Sequence, residues 1–242
     1  MQRDLLDRLL RLQAAKRPAA LVTDLESGDQ ALVEADGTAG ALMLSDPEIA
    51  DVLSALRDDR SALDPVSNRF VQVFNPPLRL VVVGAVHIAQ QLVPLAIAAG
   101  YDVTVVDPRR AWASGERFPD VALVTVWPGE ALQALAPDRR TAIVTLTHDP
   151  KLDDPALVAA VSSPAFYIGA LGSRRTQERR LERLRAQGFD AAALARIHGP
   201  VGLDIGAKSP AEIAVAILAQ IIQVRRASTV QAPAEAGTGA AP

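Results

Sequence analysis

At 242 residues, the chain is long enough to bury one large core or two modest ones. Its formal charge of −3 excludes a global basic field that would recruit nucleic acid or an anionic membrane. The absence of cysteine excludes disulfides, thiolate metal sites and a persulfide carried on this chain.

The first residues, MQRDLLDRLLRLQ, carry charges throughout, so they read neither as a signal peptide nor as a membrane span. Leu5, Leu6, Leu9, Leu10 and Leu12 share one face of a predicted helix from about Arg3 to Ala15. PAALVTDL and QALVEA then read as two short strands joined by a turn at Glu26-Ser27-Gly28-Asp29. Ser45-Asp46-Pro47-Glu48 opens a second helix that runs through Ile49 to Leu56. RFVQVFN is a further strand, and Asn75-Pro76-Pro77 breaks the pattern as a linker.

Beyond the linker the rhythm changes. LRLVVVG is an apolar run ending in Gly84, followed by a helix to Ala99 and a helix stop at Gly100. YDVTVVD, VALVTVW, TAIVTLT and PAFYIGA follow at intervals suited to βα units. Short, wholly apolar strands alternating with helices mean a parallel sheet covered on both faces. Helices are predicted from Arg174 to Gln187 and from Pro210 to Arg226. The expected fold class is α/β: a Rossmann-like parallel sheet (78–226) behind a small N-terminal α+β domain (1–75), with a disordered tail (227–242). The longest apolar runs are strand-sized, so a cytoplasmic protein with no membrane and no nucleic-acid partner is expected.

In such a sheet, ligands bind outside the carboxyl ends of the strands. There the sequence places Gly84 and His87, Asp107 and Arg109, His148 and Asp149, and then Gly169, Gly172, Ser173, Arg174, Arg175 and Thr176. The first turn is a degraded dinucleotide fingerprint, with Val86 where a second glycine would let backbone approach a pyrophosphate. Asp107 stands where an acidic residue would bind a ribose hydroxyl. His87 either points into the crevice or packs. Ser173 is a predicted N-cap, and its helix start is a candidate anion site. Arg174 and Arg175 lie where the helix dipole disfavours cations, which a bound phosphate would offset. Asp149 serves either with His148 in a site or as a cap. His198 reads as a loop residue. Ser209, Pro210 and Glu212 form a capping box, while Asp204 and Lys208 in the preceding glycine-rich loop either face a ligand or order the loop. The histidines and acids do not fall at metal-ligand spacing, so no metal site is expected.

Three stretches, VVDPRRAWASGERFPD (105–120), YIGALGSRRT (167–176) and GPVGLDIGAKSPAEIAVAILAQII (199–222), together resemble the XdhC/CoxI family. These are accessory proteins of xanthine dehydrogenase and related molybdenum hydroxylases. The resemblance implies a Rossmann domain that binds the molybdenum cofactor (molybdopterin) or its dinucleotide form. It also implies delivery of that cofactor to a hydroxylase client, with a cysteine desulfurase or a longer family member as further partner. The family's GAGHVA-type turn corresponds to Gly84–Ala89, with Val86 as the departure. Residues 1–77 lack the family's GSxPRxxG-like and SGGCxE-like stretches. On this reading Arg174 or Arg175 clamps the cofactor phosphate, and Asp107, Arg109, His148, Asp149, Asp204 and Lys208 surround it. The alternatives are an NAD(P)-dependent oxidoreductase or another nucleotide-binding protein using the same crevice, and a non-catalytic scaffold. The segment Ile213–Ile222 is apolar over more than one helical face, which leaves a homodimer open.

Overall fold

The computed structural model describes residues 2–230. Two units divide the chain, Met1–Pro76 and Pro77–Pro242.

The first unit has strands β1 (Ala19–Asp24), β2 (Gln30–Glu34), β3 (Gly37–Gly40), β4 (Ala62–Asp64) and β5 (Arg69–Phe74), with helices α1 (Arg3–Ala14) and α2 (Asp46–Arg57). The strands form one antiparallel sheet in the order β3-β2-β1-β5-β4. Side chains on a strand alternate between faces, and here the alternation decides which helix each residue meets. Ala19 and Leu21 join Leu5, Leu9 and Leu12 of α1, whereas Ala20 and Val22 join Val52 and Leu56 of α2. The predicted start of α2 is a capping box: Glu48 Oε2 accepts from the Ser45 backbone N–H at 2.8 Å. The edge strands β3 and β4 were not expected, because three or four residues are too few to display a period of two.

The second unit is built on strands β6 (Leu78–Val83), β7 (Tyr101–Val106), β8 (Ala122–Val124), β9 (Thr141–Thr145), β10 (Tyr167–Ala170) and β11 (Ile197–His198). Every pairing among them is parallel, in the order β11-β10-β9-β6-β7-β8. This is the doubly wound Rossmann order, which reverses direction between β6 and β9. The helices are α3 (His87–Ala98), α4 (Pro128–Leu135), α5 (Pro150–Val161), α6 (Arg174–Ala186), α7 (Ala191–Ala195) and α8 (Pro210–Val230). Leu80 and Val82 face Leu92 of α3 and Ile217 of α8, while Val81 and Val83 face Leu132 of α4, Leu157 of α5 and Leu184 of α6. Both sheet faces are covered, which is why the strands are apolar without alternation.

Gly100 adopts φ +88° directly after the last turn of α3, as its predicted role as a helix stop requires. VALVTVW yields only the short β8, because Pro128 starts α4 three residues after Thr125. Helix α8 continues past the predicted end at Arg226 to Val230; the rest of the expected tail, 231–242, lies outside the described residues. Among the described residues no helix is long and apolar enough to cross a membrane.

Candidate functional site

The reversal between β6 and β9 brings their carboxyl ends side by side. Gly84 sits there at φ +109°, and a Cβ in its place would lie 2.5 Å from Thr147 Cγ2. Glycine is needed at this point both for its backbone angle and for the close approach of the next loop.

The turn after β6 is tied to the loop after β7. Asp107 is 1% exposed, and its carboxylate accepts from the Ala85 backbone N–H at 2.9 Å. It also accepts from the backbone N–H of Arg109 and from that residue's Nε and Nη2, at 3.0, 2.9 and 2.7 Å. Burial works to raise the pKa of Asp107, but these hydrogen bonds and the guanidinium charge hold it below the usual carboxylate range. Arg117 donates to the carbonyl of Ala85 at 2.9 Å and to Gln90 Oε1 at 2.8 Å. The rings of Trp112 and Phe118 lie against its guanidinium. Asp107 therefore holds the turn together. With two hydrogen bonds on each oxygen it does not offer itself to a ribose hydroxyl, and Val86 is the N-cap of α3 where the fingerprint wants glycine. A nicotinamide dinucleotide bound in the fingerprint manner does not fit these residues.

The loop after β9 is built around Thr147. Its Oγ1 donates to Asp153 Oδ1 at 2.5 Å and accepts from the backbone N–H of Asp149 at 3.2 Å. His148 takes the left-handed conformation, φ +62°, and is exposed. Asp149 is the N-cap of α5, accepting from Lys151 N at 2.9 Å. Asp149 thus takes the capping alternative and makes no hydrogen bond with His148.

After β10, Gly169 has no room for a side chain: a Cβ would meet Val201 Cγ2 at 2.6 Å. Gly172, at φ +147°, lies against Thr176. Ser173 caps α6 as predicted, its Oγ accepting from Thr176 N at 3.1 Å. Arg174 and Arg175 are exposed, and the expected alternative partner, Glu178, makes no ion pair with either among the described residues.

Deeper in α6 are residues that the sequence reading passed over. Gln177, Arg180 and Leu184 form the buried stripe of this helix. Arg180, 2% exposed, donates to Gln177 Oε1 at 2.7 Å and to the Leu171 carbonyl at 2.8 Å. Its Nη2 lies 3.7 Å from Oδ2 of Asp153, also 2% exposed. Burial raises the Asp153 pKa against the pull of Thr147 and Arg180, and it lowers that of Arg180. Asp153 Oδ2 and Arg180 Nε are buried without a hydrogen-bond partner. The two side chains line a cavity of about 170 Å³ with His148, Thr176, Arg179 and Arg183. The spacing of Gln177 and Arg180 on the same helical face as Leu184 was the available signal; nothing in the sequence pointed to the partner of Arg180.

Among the described residues, the remaining candidates make no hydrogen bond or ion pair with this cluster. His87 is exposed at the first position of α3. The capping box at Ser209 and Glu212 forms as predicted, with Glu212 Oε2 accepting from the backbone of Lys208 and Ser209 at 2.8 and 2.9 Å. The side chains of Asp204 and Lys208 are exposed and make no hydrogen bond or ion pair with the residues above, so Asp204 is not a buried loop-ordering acid. His198 is not a loop residue. It forms β11 and stacks on Tyr167, with ring centroids 4.9 Å apart. Among the described residues no group of three or more histidine, aspartate and glutamate side chains is placed to hold a metal.

A family model, the XdhC Rossmann domain, matches residues 80–221. The chain belongs to the XdhC family. Two Escherichia coli K12 proteins are similar to it. One, named uncharacterized protein YqeB, is 33% identical over 81% of this chain and 40% of its own length. The other, named molybdenum cofactor insertion chaperone PaoD, is 33% identical over 65% of this chain and 43% of its own. A Bacillus subtilis protein, named as a probable subunit of xanthine dehydrogenase, is 34% identical over 67% of this chain and 48% of its own length. The XdhC chain thus spans less than half the length of these relatives. A crystal structure of a Bacillus halodurans protein, described as a xanthine dehydrogenase, matches with a TM-score of 0.74 at 24% identity. That match covers 93% of this chain and 65% of the other, and it is a likeness of fold.

Proposed function

We propose that this chain is a maturation factor that binds the molybdenum cofactor, or its dinucleotide form, and hands it to a hydroxylase of the xanthine dehydrogenase type. One observation carries the reading. At the carboxyl edge of the Rossmann sheet, where such folds take ligands, two buried polar atoms stand without partners beside a small cavity. The names of two relatives, one a cofactor insertion chaperone and one a probable component of a dehydrogenase, support the direction.

In this reading the cofactor's phosphate lies over the exposed start of α6. The cap of Ser173 orders that turn, and Arg174 and Arg175 are free to close on the phosphate as charge-assisted donors. Arg109 and His148 stand at the neighbouring strand ends, while Asp107 and Asp149 hold the loops that present them. The cargo brings its own metal chemistry; the protein binds, orients and shields. Because the chain has no cysteine, sulfur transfer to the cofactor falls to a partner, either a cysteine desulfurase or a longer member of the family.

A thermal-shift titration of the purified chain with molybdenum cofactor, its cytosine dinucleotide, NAD and NADP tests this. A ligand of the native state stabilises by about 2.7 kcal/mol at a hundredfold excess over Kd. The pterin species are expected to raise Tm, and Arg175→Ala to weaken that rise. Stabilisation by NAD or NADP alone would replace this reading with an oxidoreductase.

A further inference from the structure

The cavity between α5 and α6 is specified in more detail than a general ligand-binding role requires. Its volume, about 170 Å³, is below the roughly 300–1,000 Å³ of a site that holds a whole ligand, so it takes one part of a larger molecule. Thr147 fixes Asp153 by donating to Oδ1, leaving Oδ2 as an acceptor. Gln177 and the Leu171 carbonyl fix Arg180 through Nη1 and Nη2, leaving Nε–H as a donor. A buried acceptor and a buried donor, each held by its neighbours and each without a hydrogen bond, are expensive to keep in a folded core.

A fully ionised oxyanion is a poor answer to that pair. Arg183 is already engaged by Asp154 through two hydrogen bonds of 2.6 and 2.9 Å, and Arg180 is balanced by Asp153. Arg179 also lines the cavity, but an anion brings no donor for Asp153 Oδ2, and the carboxylate would repel it. What answers both atoms is a planar ring edge carrying an N–H donor next to a carbonyl acceptor.

We infer that Asp153 and Arg180 recognise the 2-amino-4-oxopyrimidine edge of a pterin, Asp153 accepting from the ring's amino and N3–H groups and Arg180 Nε donating to its 4-oxo group. The same edge occurs in guanine. The choice of pterin rests on the maturation reading above, and the ring-edge recognition rests on the cavity alone. The pairing follows the rule by which carboxylates select amino-bearing base edges and guanidiniums select carbonyls. The subsite lies one to two turns along α6 from the exposed arginines, so one ligand can present its phosphate to the first turn and its ring to the cavity.

Pteridine fluorescence gives a direct test on the full chain. Pterin should bind about tenfold or more tightly than lumazine, which carries a 2-oxo group where pterin has the amino group. Asp153→Asn turns one acceptor into a donor and should reverse that preference. The wild-type comparison does not depend on the variant folding. Guanosine and xanthosine form a second pair of probes: tighter binding of guanosine than of pterin would overturn the assignment to pterin. Equal binding of pterin and lumazine, or displacement of both by inorganic phosphate, would overturn the ring-edge inference. If the cofactor still stabilised the protein after that result, the maturation reading would stand without this subsite. Pterin discrimination with no stabilisation by the cofactor would leave the subsite and remove the reading.

Discussion

His198 illustrates what burial does to a single ionisable side chain. It is half-buried and stacked on Tyr167, whose hydroxyl donates to Gln220 Oε1 at 2.5 Å. Burial lowers the imidazole pKa from its ordinary 6.5, because the charged form loses solvation. The folded chain then takes up its proton at lower pH than the unfolded chain, so stability is full above about 6.5 and declines as pH falls toward the folded value. One such proton changes the free energy of unfolding by at most about 1.4 kcal/mol per pH unit. His198→Phe keeps an aromatic ring on Tyr167 and removes the proton. Urea unfolding at several pH values should show a shallower acid-side decline in the variant, and identical slopes would mean that His198 is solvated in the native state. The same burial escapes sequence reading: His198 occupies a two-residue strand, and only the parallel pairing with β10 makes it part of the sheet.

Between elements, the contact of Gly84 with Thr147 is where the two halves of the doubly wound sheet meet. Gly84→Ala adds a methyl group 2.5 Å from Thr147 Cγ2 at a backbone angle that disfavours side chains, and the angle alone costs about 1–3 kcal/mol. Thr147→Ser removes the opposing methyl and keeps the hydroxyl that donates to Asp153. The double variant should therefore be less destabilised than the sum of the singles, by about 0.5–3 kcal/mol, with the angular strain remaining. Strict additivity would show that the loops separate freely. Elements of this kind were partly legible in advance. The parallel strands announce themselves as apolar runs, and glycine, serine and proline mark the turns after them. Ser45, Ser173 and Ser209 were read as helix starts because capping is local. The Asp153–Arg180 pair was not read, because nothing local reports which buried carboxylate meets which buried guanidinium.

At the scale of the whole molecule, each unit closes its own cores. Leu9 and Leu32 on one sheet face and Val33 and Val52 on the other complete the first unit. Val82 with Ile217, and Ile143 with Leu157, do so for the second. The residues to which the proposed function gives a ligand contact lie between Arg109 and Arg183, within the second unit. A fragment of residues 77–242 should accordingly unfold as one cooperative transition and keep the cofactor-induced rise in Tm seen with the full chain. The complementary fragment, 1–76, has few residues over which to gather buried area and should be the less stable of the two. Loss of the ligand effect in a 77–242 fragment that still unfolds cooperatively would assign essential contacts to residues 1–76. Retention would leave the antiparallel sheet and its two helices free to act on something other than the cargo, and the client enzyme is then the first partner to test against them.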